Sequence, residues 1–578
     1  MTESANTLRS YLTYEPHELQ FGTSGRRGEV ADLTQLEIYI NAFAELQYLQ
    51  AMPVSDGGIV RGDDFYFAHD LRPSSTQYVG EEQGYGEICQ AIECAIRDAG
   101  MRPVNLGGIP TPALACYALT RSKGSIMVTG SHIPFNQNGY KLNTSAGELL
   151  KEHEGPINRA VQRVREQTYS QPFAVSRFNQ RGLFRSGHRD LPDESSDARS
   201  EYVDRYLSFF GDSSLSGKRI LVYQHSAVGR DLLVEILERL GADAIPTGRS
   251  ESFISIDTEN IDQAQLTTIQ ALADEAGAAH GPIDAVVSTD GDSDRPLILG
   301  VNRATGDVRF FGGDLVGMVV AEYLGADAVV VPISCNDAID RGNLAQIVQP
   351  KTRIGSPYVI AGMKTARNRG GKSVCGWEAN GGFLTGSDIS RNGRILKALP
   401  TRDAILPILG VLFAAAAQRL SLIELFAGLP KRFSRAALLK RIPRPTGLKL
   451  VRRFSPDDPG IREAIFAQDQ TILLDGDNRK LAAGESHEKQ AEEIRGQLQH
   501  FFTPELGFGT ITRLNYTDGV RISFSNGDIA HFRPSGNADE LRIYGVADTQ
   551  ERADAIAEVG ASEPGGILRL MEAAIATN

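Results

Sequence analysis

Three aspartates at alternate positions in Asp290-Gly-Asp-Ser-Asp-Arg295 are the chain's most specific chemical signal. Carboxylates at Asp290, Asp292 and Asp294 on a tight, glycine-bearing loop present hard oxygens to one point, a donor set that suits Mg²⁺ or Ca²⁺. An EF-hand is excluded, because its sixth position would be Arg295 rather than glycine and its twelfth Val301 rather than glutamate. The competing reading is a solvated acidic turn whose carboxylates cap their own backbone. A second signal is Thr129-Gly-Ser-His-Ile-Pro134 followed by Asn138-Gly-Tyr-Lys141, where Ser131 beside His132 could be a nucleophile or a phosphoryl carrier. It lacks the GxSxG frame of a hydrolase elbow, and a structural loop is the alternative. Gly22-Thr-Ser-Gly-Arg-Arg-Gly28 puts two arginines on a glycine-rich loop, suited to an oxyanion or simply a turn. Arg533-Pro-Ser-Gly-Asn-Ala-Asp-Glu-Leu-Arg542 brackets a hydroxyl, an amide and backbone donors between two arginines: a cradle for a phosphate dianion, or a hairpin with solvated arginines. In Gly376-Trp-Glu-Ala-Asn-Gly-Gly382 a carboxylate and an amide two residues apart could grip neighbouring sugar hydroxyls. A Walker A match at Gly371-Lys-Ser373 fails, since the required first glycine falls on Ala366.

The elements that must position these loops are short apolar runs with helical patterns between them. Runs at Phe65–Ala68, Ile126–Val128, Ile220–Tyr223, Ala285–Val287, Ala328–Ile333 and Ser373–Cys375 read as buried parallel strands. Asp231–Leu240 has apolar positions at helical spacing and ends at Gly241, as a crossover helix should. Two of the signals, Thr129–Pro134 and Asp290–Arg295, lie just past such a strand, where ligands of open α/β sheets gather. The apolar stretch Ala404–Ala417 contains Pro407 and Gly410 and is too short to span a bilayer, so it reads as a buried helix. Residues 171–199 turn polar and read as an exposed excursion. After a break near Pro430–Pro445, Arg521–Ser525, Asn526-Gly527 and Asp528–Phe532 read as strand, turn and strand, placing a small antiparallel sheet with helices last.

At 578 residues the chain holds about four domains rather than one core. Its 60 basic against 72 acidic residues leave a net charge of −12, which argues against a nucleic acid or an anionic membrane held by bulk charge, so any anionic ligand must be held locally. Five scattered cysteines, none in CxxC spacing, signal neither zinc nor a disulfide framework. With no secretory signal at the start, a reducing, cytoplasmic setting is expected.

With its five loops in this order, the sequence resembles the α-D-phosphohexomutase superfamily, specifically the phosphomannomutase/phosphoglucomutase group, from about Phe21 to Tyr544. Phe21–Gly28 is similar to the family's F-G-T-x-G-x-R-G, and Asp70-Leu-Arg-Pro-Ser-Ser75 and Pro110-Thr-Pro112 to supporting motifs. The resemblance implies three α/β domains with mixed, mostly parallel sheets (1–200, 201–312, 313–432) and a C-terminal α+β domain (433–578) around a central cleft. It implies a catalytic set of Ser131, Lys141, Arg27 and His132, with Ser131 carrying the phosphoryl group and Lys141 moving protons, for which the lysine needs a pKa lowered by cationic surroundings. One Mg²⁺ per chain would be held by Ser131, Asp290, Asp292 and Asp294. Substrate would be bound by Arg295, Glu378, Asn380, Arg533, Ser535, Asn537 and Arg542, with a hexose 1,6-bisphosphate as activator and intermediate.

The implied reaction moves phosphate between O1 and O6 of a hexose, mannose ahead of glucose and glucosamine. A metal-dependent sugar phosphatase and a non-catalytic phosphosugar-binding protein are the readings from other classes. The expected partner is a phosphosugar, with no nucleic acid or membrane, in a monomer or homodimer. The sequence departs from the family pattern at Ile133 (usually Asn), Gly130 (Ala), Trp377 (Gly), Asn380 (Ser) and Asn537-Ala538 (Thr-Glu).

Overall fold

In the computed structural model, residues 6–22, 25–211, 214–259, 261–468, 470–482, 484–534 and 540–576 are described. The chain forms two units, one from 1–326 and 363–425, the other from 327–362 and 426–578.

The first unit holds three larger sheets besides two two-stranded ones. In the first, β1 (Arg26–Glu29), β2 (Asp64–His69), β3 (Arg102–Gly108), β4 (Ser125–Val128) and β5 (Gln137–Thr144) run in the order β1-β5-β4-β2-β3, with the short strand Gly147–Glu148 on β5. The second orders β6 (Arg219–His225), β7 (Asp243–Arg249), β8 (Ala285–Thr289), β9 (Pro296–Val301) and β10 (Val308–Phe310) as β7-β6-β8-β9-β10. In the third, β11 (Val374–Trp377), β12 (Phe383–Thr385) and β13 (Leu399–Asp403) pair antiparallel.

The sheets are mixed, as expected, but not mostly parallel. β2 pairs in parallel with β3 and β4, and β6 with β7 and β8, while β1–β5, β4–β5, β8–β9 and β9–β10 are antiparallel. The reason lies in the site loops. A parallel return needs a crossover of a dozen or more residues. The chain instead leaves β4 through 129–136 and β8 through 290–295, loops too short for anything but an antiparallel return. Each functional loop is thus the turn of a buried hairpin, held on both flanks by ladder hydrogen bonds.

Helix α1 (Gln35–Ala51) starts where the Thr34 hydroxyl accepts the Glu37 amide, and it is buried over most of its length, packed chiefly on the helices Ile88–Asp98 and Glu154–Tyr169. Its Glu45 carboxylate accepts from Arg26 Nε at 2.6 Å and from the Tyr140 hydroxyl at 2.9 Å, fixing β1 and β5 from below. The apolar stretch after 404 is indeed a buried helix, α2 (Ile405–Gln418). Segment 171–199 corrects the sequence reading in part. Phe178 and Phe184 form an isolated bridge, stack at 4.9 Å and enter the first core, so only the residues around them form a polar excursion.

The second unit centres on a sheet of β14 (Phe433–Lys440), β15 (Glu463–Phe466), β16 (Thr471–Leu474), β17 (Ile511–Asn515), β18 (Val520–Phe524), β19 (Ile529–Pro534) and β20 (Glu540–Ala547). Their order is β14-β20-β19-β18-β17-β15-β16, antiparallel throughout. At the Asn526-Gly527 turn only Gly527, at φ +86°, takes the left-handed conformation. The run at 328–333 yields a strand only over Ala328–Val330. Among the described residues no helix is long and apolar enough to cross a membrane.

Candidate active site

Ser131 sits at the exit of β4 with φ +56°, fully buried. A non-glycine residue in the left-handed region is strained and persists only where its surroundings over-determine it. They do so here. Arg72, also buried, donates through Nη2 to the Ser131 carbonyl at 3.0 Å and to that of Ile133, and through Nη1 to the carbonyls of Pro134 (2.7 Å) and Gln137 (2.9 Å). Asp70 accepts the Thr129 hydroxyl at 2.7 Å, and Thr129 Oγ1 in turn accepts the Ser131 amide at 2.7 Å. Gly130, a departure from the family pattern, has a steric cause: a Cβ there would lie 2.7 Å from Arg72 Nε and 2.8 Å from Cζ.

The Ser131 hydroxyl donates to Asp290 Oδ2 at 2.6 Å, and His132 Nδ1 lies 3.3 Å from Ser131 Oγ. Asp290 Oδ1 accepts the amides of Asp294 and Arg295, each at 3.1 Å, which curls the loop around its own first carboxylate. Thr111 fastens the loop from the side, its hydroxyl donating to Asp292 Oδ2 at 2.5 Å. Lys141, on β5, donates to Asp292 Oδ2 and Asp294 Oδ2, both at 2.6 Å. Its immediate neighbours are therefore carboxylates, not the cationic surroundings expected from sequence.

All three aspartates are buried, with candidate ligand oxygens within 4.8 Å of one another. Burial, then Asp292 and Asp294, push the Asp290 carboxyl well above its usual range. Burial also pushes Asp294 up, but Arg402, Lys141 and Arg295 outweigh it and hold that carboxyl below the usual range; Asp292 is likewise held low, chiefly by Lys141. Asp292 Oδ1 and Asp294 Oδ1 are buried without a hydrogen-bond partner among the described residues. Buried carboxylate oxygens are not normally left so. Together with Asp290 Oδ2 they form a hard-oxygen set that fits a divalent cation.

Arg27 lies on β1, opposite Gly139 of β5, where burial and the charge of Arg295 push its guanidinium down to about 10. Arg295 Nε stands 3.9 Å from Asp290 Oδ2 and 3.7 Å from Asp294 Oδ1. Glu378 and Asn380 lie buried in the turn between β11 and β12. The Asn380 side-chain carbonyl accepts the Gly382 amide at 3.0 Å, shaping the turn itself. Trp377 is buried flat over Gly317, and its indole N–H donates to the Asp314 carbonyl at 3.1 Å.

The sequence reading missed Arg402, at the end of β13. It donates through Nη1 to Glu378 Oε2 at 2.9 Å, and through Nη2 (2.9 Å) and Nε (3.1 Å) to Asp294 Oδ2. Its signal was an Arg-Asp pair directly before an apolar helix, which looks like an ordinary helix start. The first unit thus brings together Arg27, Ser131, His132, Lys141, Asp290, Asp292, Asp294, Arg295 and, through Arg402, Glu378.

In the second unit Arg533 and Arg542 are register partners across β19 and β20. Like charges directly opposite on a sheet repel, and an anion between them would remove that cost. Ser535 and Asn537 lie outside the described residues.

Two family models match the chain: phosphoglucomutase/phosphomannomutase α/β/α domain I at residues 18–168 and domain III at 312–433. A phosphomannomutase of Sinorhizobium fredii is 34% identical over 537 residues, covering 93% of this chain and 96% of its own. One of Salmonella muenchen is 34% identical over 561 residues, covering 96% and 97%. Among solved structures, a phosphoglucomutase/phosphomannomutase family protein of Burkholderia thailandensis shares the fold with a TM-score of 0.59 at 16% identity, covering 96% of this chain and 99% of that one.

Proposed function

The chain belongs to the phosphoglucomutase/phosphomannomutase family of the α-D-phosphohexomutase superfamily, and we propose that within it the enzyme interconverts the 1- and 6-phosphates of mannose. Membership makes it a phosphohexose mutase, an isomerase acting on a phosphosugar. The preference for mannose rests on the two relatives of near-complete coverage, both named phosphomannomutases.

The observation that carries the mechanism is Ser131 Oγ held 2.6 Å from a buried carboxylate cluster that keeps two oxygens open. Ser131 carries the phosphoryl group. A Mg²⁺ ion held by Asp290, Asp292, Asp294 and Ser131 would, when bound, withdraw charge from the transferring group. A sugar hydroxyl takes the phosphoryl group as its O–P bond forms and the bond to Ser131 Oγ breaks; the hydroxyl proton leaves to a base, the role the resemblance gives Lys141, whose Nζ must first pass on a proton, since here it donates to Asp292 and Asp294. The bisphosphate so formed returns its other phosphoryl group to Ser131 after turning over. Arg27 and Arg295 offset the charge that builds on the moving group. His132 Nδ1, 3.3 Å from Oγ, orients the serine oxygen. Glu378 and Asn380 belong to the sugar loop. Arg533 and Arg542, with Ser535 and Asn537, are assigned to the phosphate that does not react.

The four-domain partition at 1–200, 201–312, 313–432 and 433–578 is part of the same reading, supported by the two separate mixed sheets of the first unit and the antiparallel one of the second. The test is a coupled assay with mannose 1-phosphate, glucose 1-phosphate and glucosamine 1-phosphate, each with and without a hexose 1,6-bisphosphate. Fastest turnover on mannose 1-phosphate, dependent on the bisphosphate, is expected. A preference for glucose or glucosamine would replace the sugar assignment, and release of free phosphate without a bisphosphate would replace the mutase by a phosphatase.

A further inference from the structure

Arg402 lies 97% buried and spends its whole guanidinium on two carboxylates from different sheets, Glu378 of the sugar loop and Asp294 of the metal loop. One edge of the planar fork faces each partner, a geometry an ammonium cannot reproduce. The surrounding backbone is shaped to hold it. Gly382 gives way to its stem, since a Cβ there would lie 2.6 Å from Arg402 Cδ. Asp403, the next residue, accepts the Tyr202 hydroxyl at 2.7 Å, that of Tyr206, and the Ile405 amide at 2.9 Å, pinning the strand end. Arg402 and Lys141 both take Asp294 Oδ2, and Oδ1 lies 3.7 Å from Arg295 Nε.

We propose that Arg402 is a positioning residue that locks the sugar-binding Glu378 to the cation-binding Asp294, so that hydroxyl recognition and phosphoryl transfer share one rigid frame. The proposal rests on the mutase reading for its kinetic half only. With Oε2 held, Glu378 meets the sugar in a single orientation. With Oδ2 held, Asp294 meets a cation in a single orientation.

The test pairs Mn²⁺ binding, measured without sugar, with a double-mutant cycle on kcat/KM using Arg402→Met, Arg402→Lys and Glu378→Gln; thermal melts confirm folding. Partners that orient metal ligands typically matter by about 10- to 100-fold. Mn²⁺ affinity is expected to fall about tenfold in R402M and in R402K, although losing a cation beside three carboxylates would by charge alone tighten it. At saturating Mg²⁺, each of R402M and E378Q should lower kcat/KM about 100-fold, and the double variant less than about threefold further. Mn²⁺ affinity unchanged or tighter in R402M, rescue by R402K, or single losses that multiply in the double variant would overturn the proposal. Inactivity of the wild type on every hexose phosphate would instead sink the mutase reading, leaving the Mn²⁺ arm to judge Arg402.

Discussion

Replacing Gly130 by alanine perturbs a single contact that the rest of the site depends on. The new Cβ would lie 2.7 Å from Arg72 Nε and 2.8 Å from Cζ, while ordinary contact begins near 3.4 Å. The guanidinium must retreat by about 0.7 Å, and it is buried with no empty side to retreat into. Its bonds to the carbonyls of Ser131, Pro134 and Gln137, now 2.7–3.0 Å, would then stretch to the limit of a hydrogen bond. Overpacking of this kind costs about 1–3 kcal/mol, and slackening the loop releases Ser131 from its left-handed backbone. A misplacement of about 1 Å at a reacting atom costs about 100-fold. Gly130→Ala is therefore expected to lower kcat by about 10- to 100-fold and to lower the Tm by a few degrees. Steady-state kinetics and differential scanning calorimetry read both effects. Wild-type kcat together with a wild-type Tm would refute the claim that Arg72 sets the loop.

Asp292→Asn should abolish turnover and weaken Mn²⁺ binding at least about 100-fold, with the circular dichroism spectrum retained; undiminished Mn²⁺ binding by calorimetry would remove Asp292 from the ligand set. The buried His225, which bonds through Nε2 to the Thr289 carbonyl at 2.8 Å, has its imidazole pushed down by burial to about 4 from 6.5. The unfolded chain binds the extra proton between those values, so this contribution is fully present above pH 6.5 and lost as pH falls toward 4. The loss approaches ~3 kcal/mol at its limit. Urea midpoints of the wild type should fall across that window, and those of His225→Gln should fall less; parallel pH curves would show that His225 does not titrate as described.

The Thr129–Pro134 and Asp290–Arg295 loops were legible in the sequence because each puts chemically distinctive residues directly after an apolar run. That logic located Ser131, Asp290, Asp292, Asp294 and Lys141, which the fold brings within hydrogen-bonding reach of one another. It failed where a side chain acts across sheets. Arg402 makes its contacts with residues 24 and 108 positions away, and nothing local to 399–403 announces them. The same limit explains Lys141, whose neighbours could be guessed by charge only after β5 was known to run back beside the metal loop. The antiparallel returns were missed because a buried strand looks alike whichever way its neighbour runs. Phe178 and Phe184 were missed because two aromatic residues are outweighed by the polar composition around them.

The mechanism requires phosphate on Ser131, and intact-mass spectrometry of the purified chain detects it. After incubation with mannose 1,6-bisphosphate the wild type should show a ~80 Da adduct that peptide mapping places on Ser131 and that excess mannose 1-phosphate removes, while Ser131→Ala shows none. A wild-type chain that never gains the adduct, or one that gains it equally in Ser131→Ala, would contradict the mechanism.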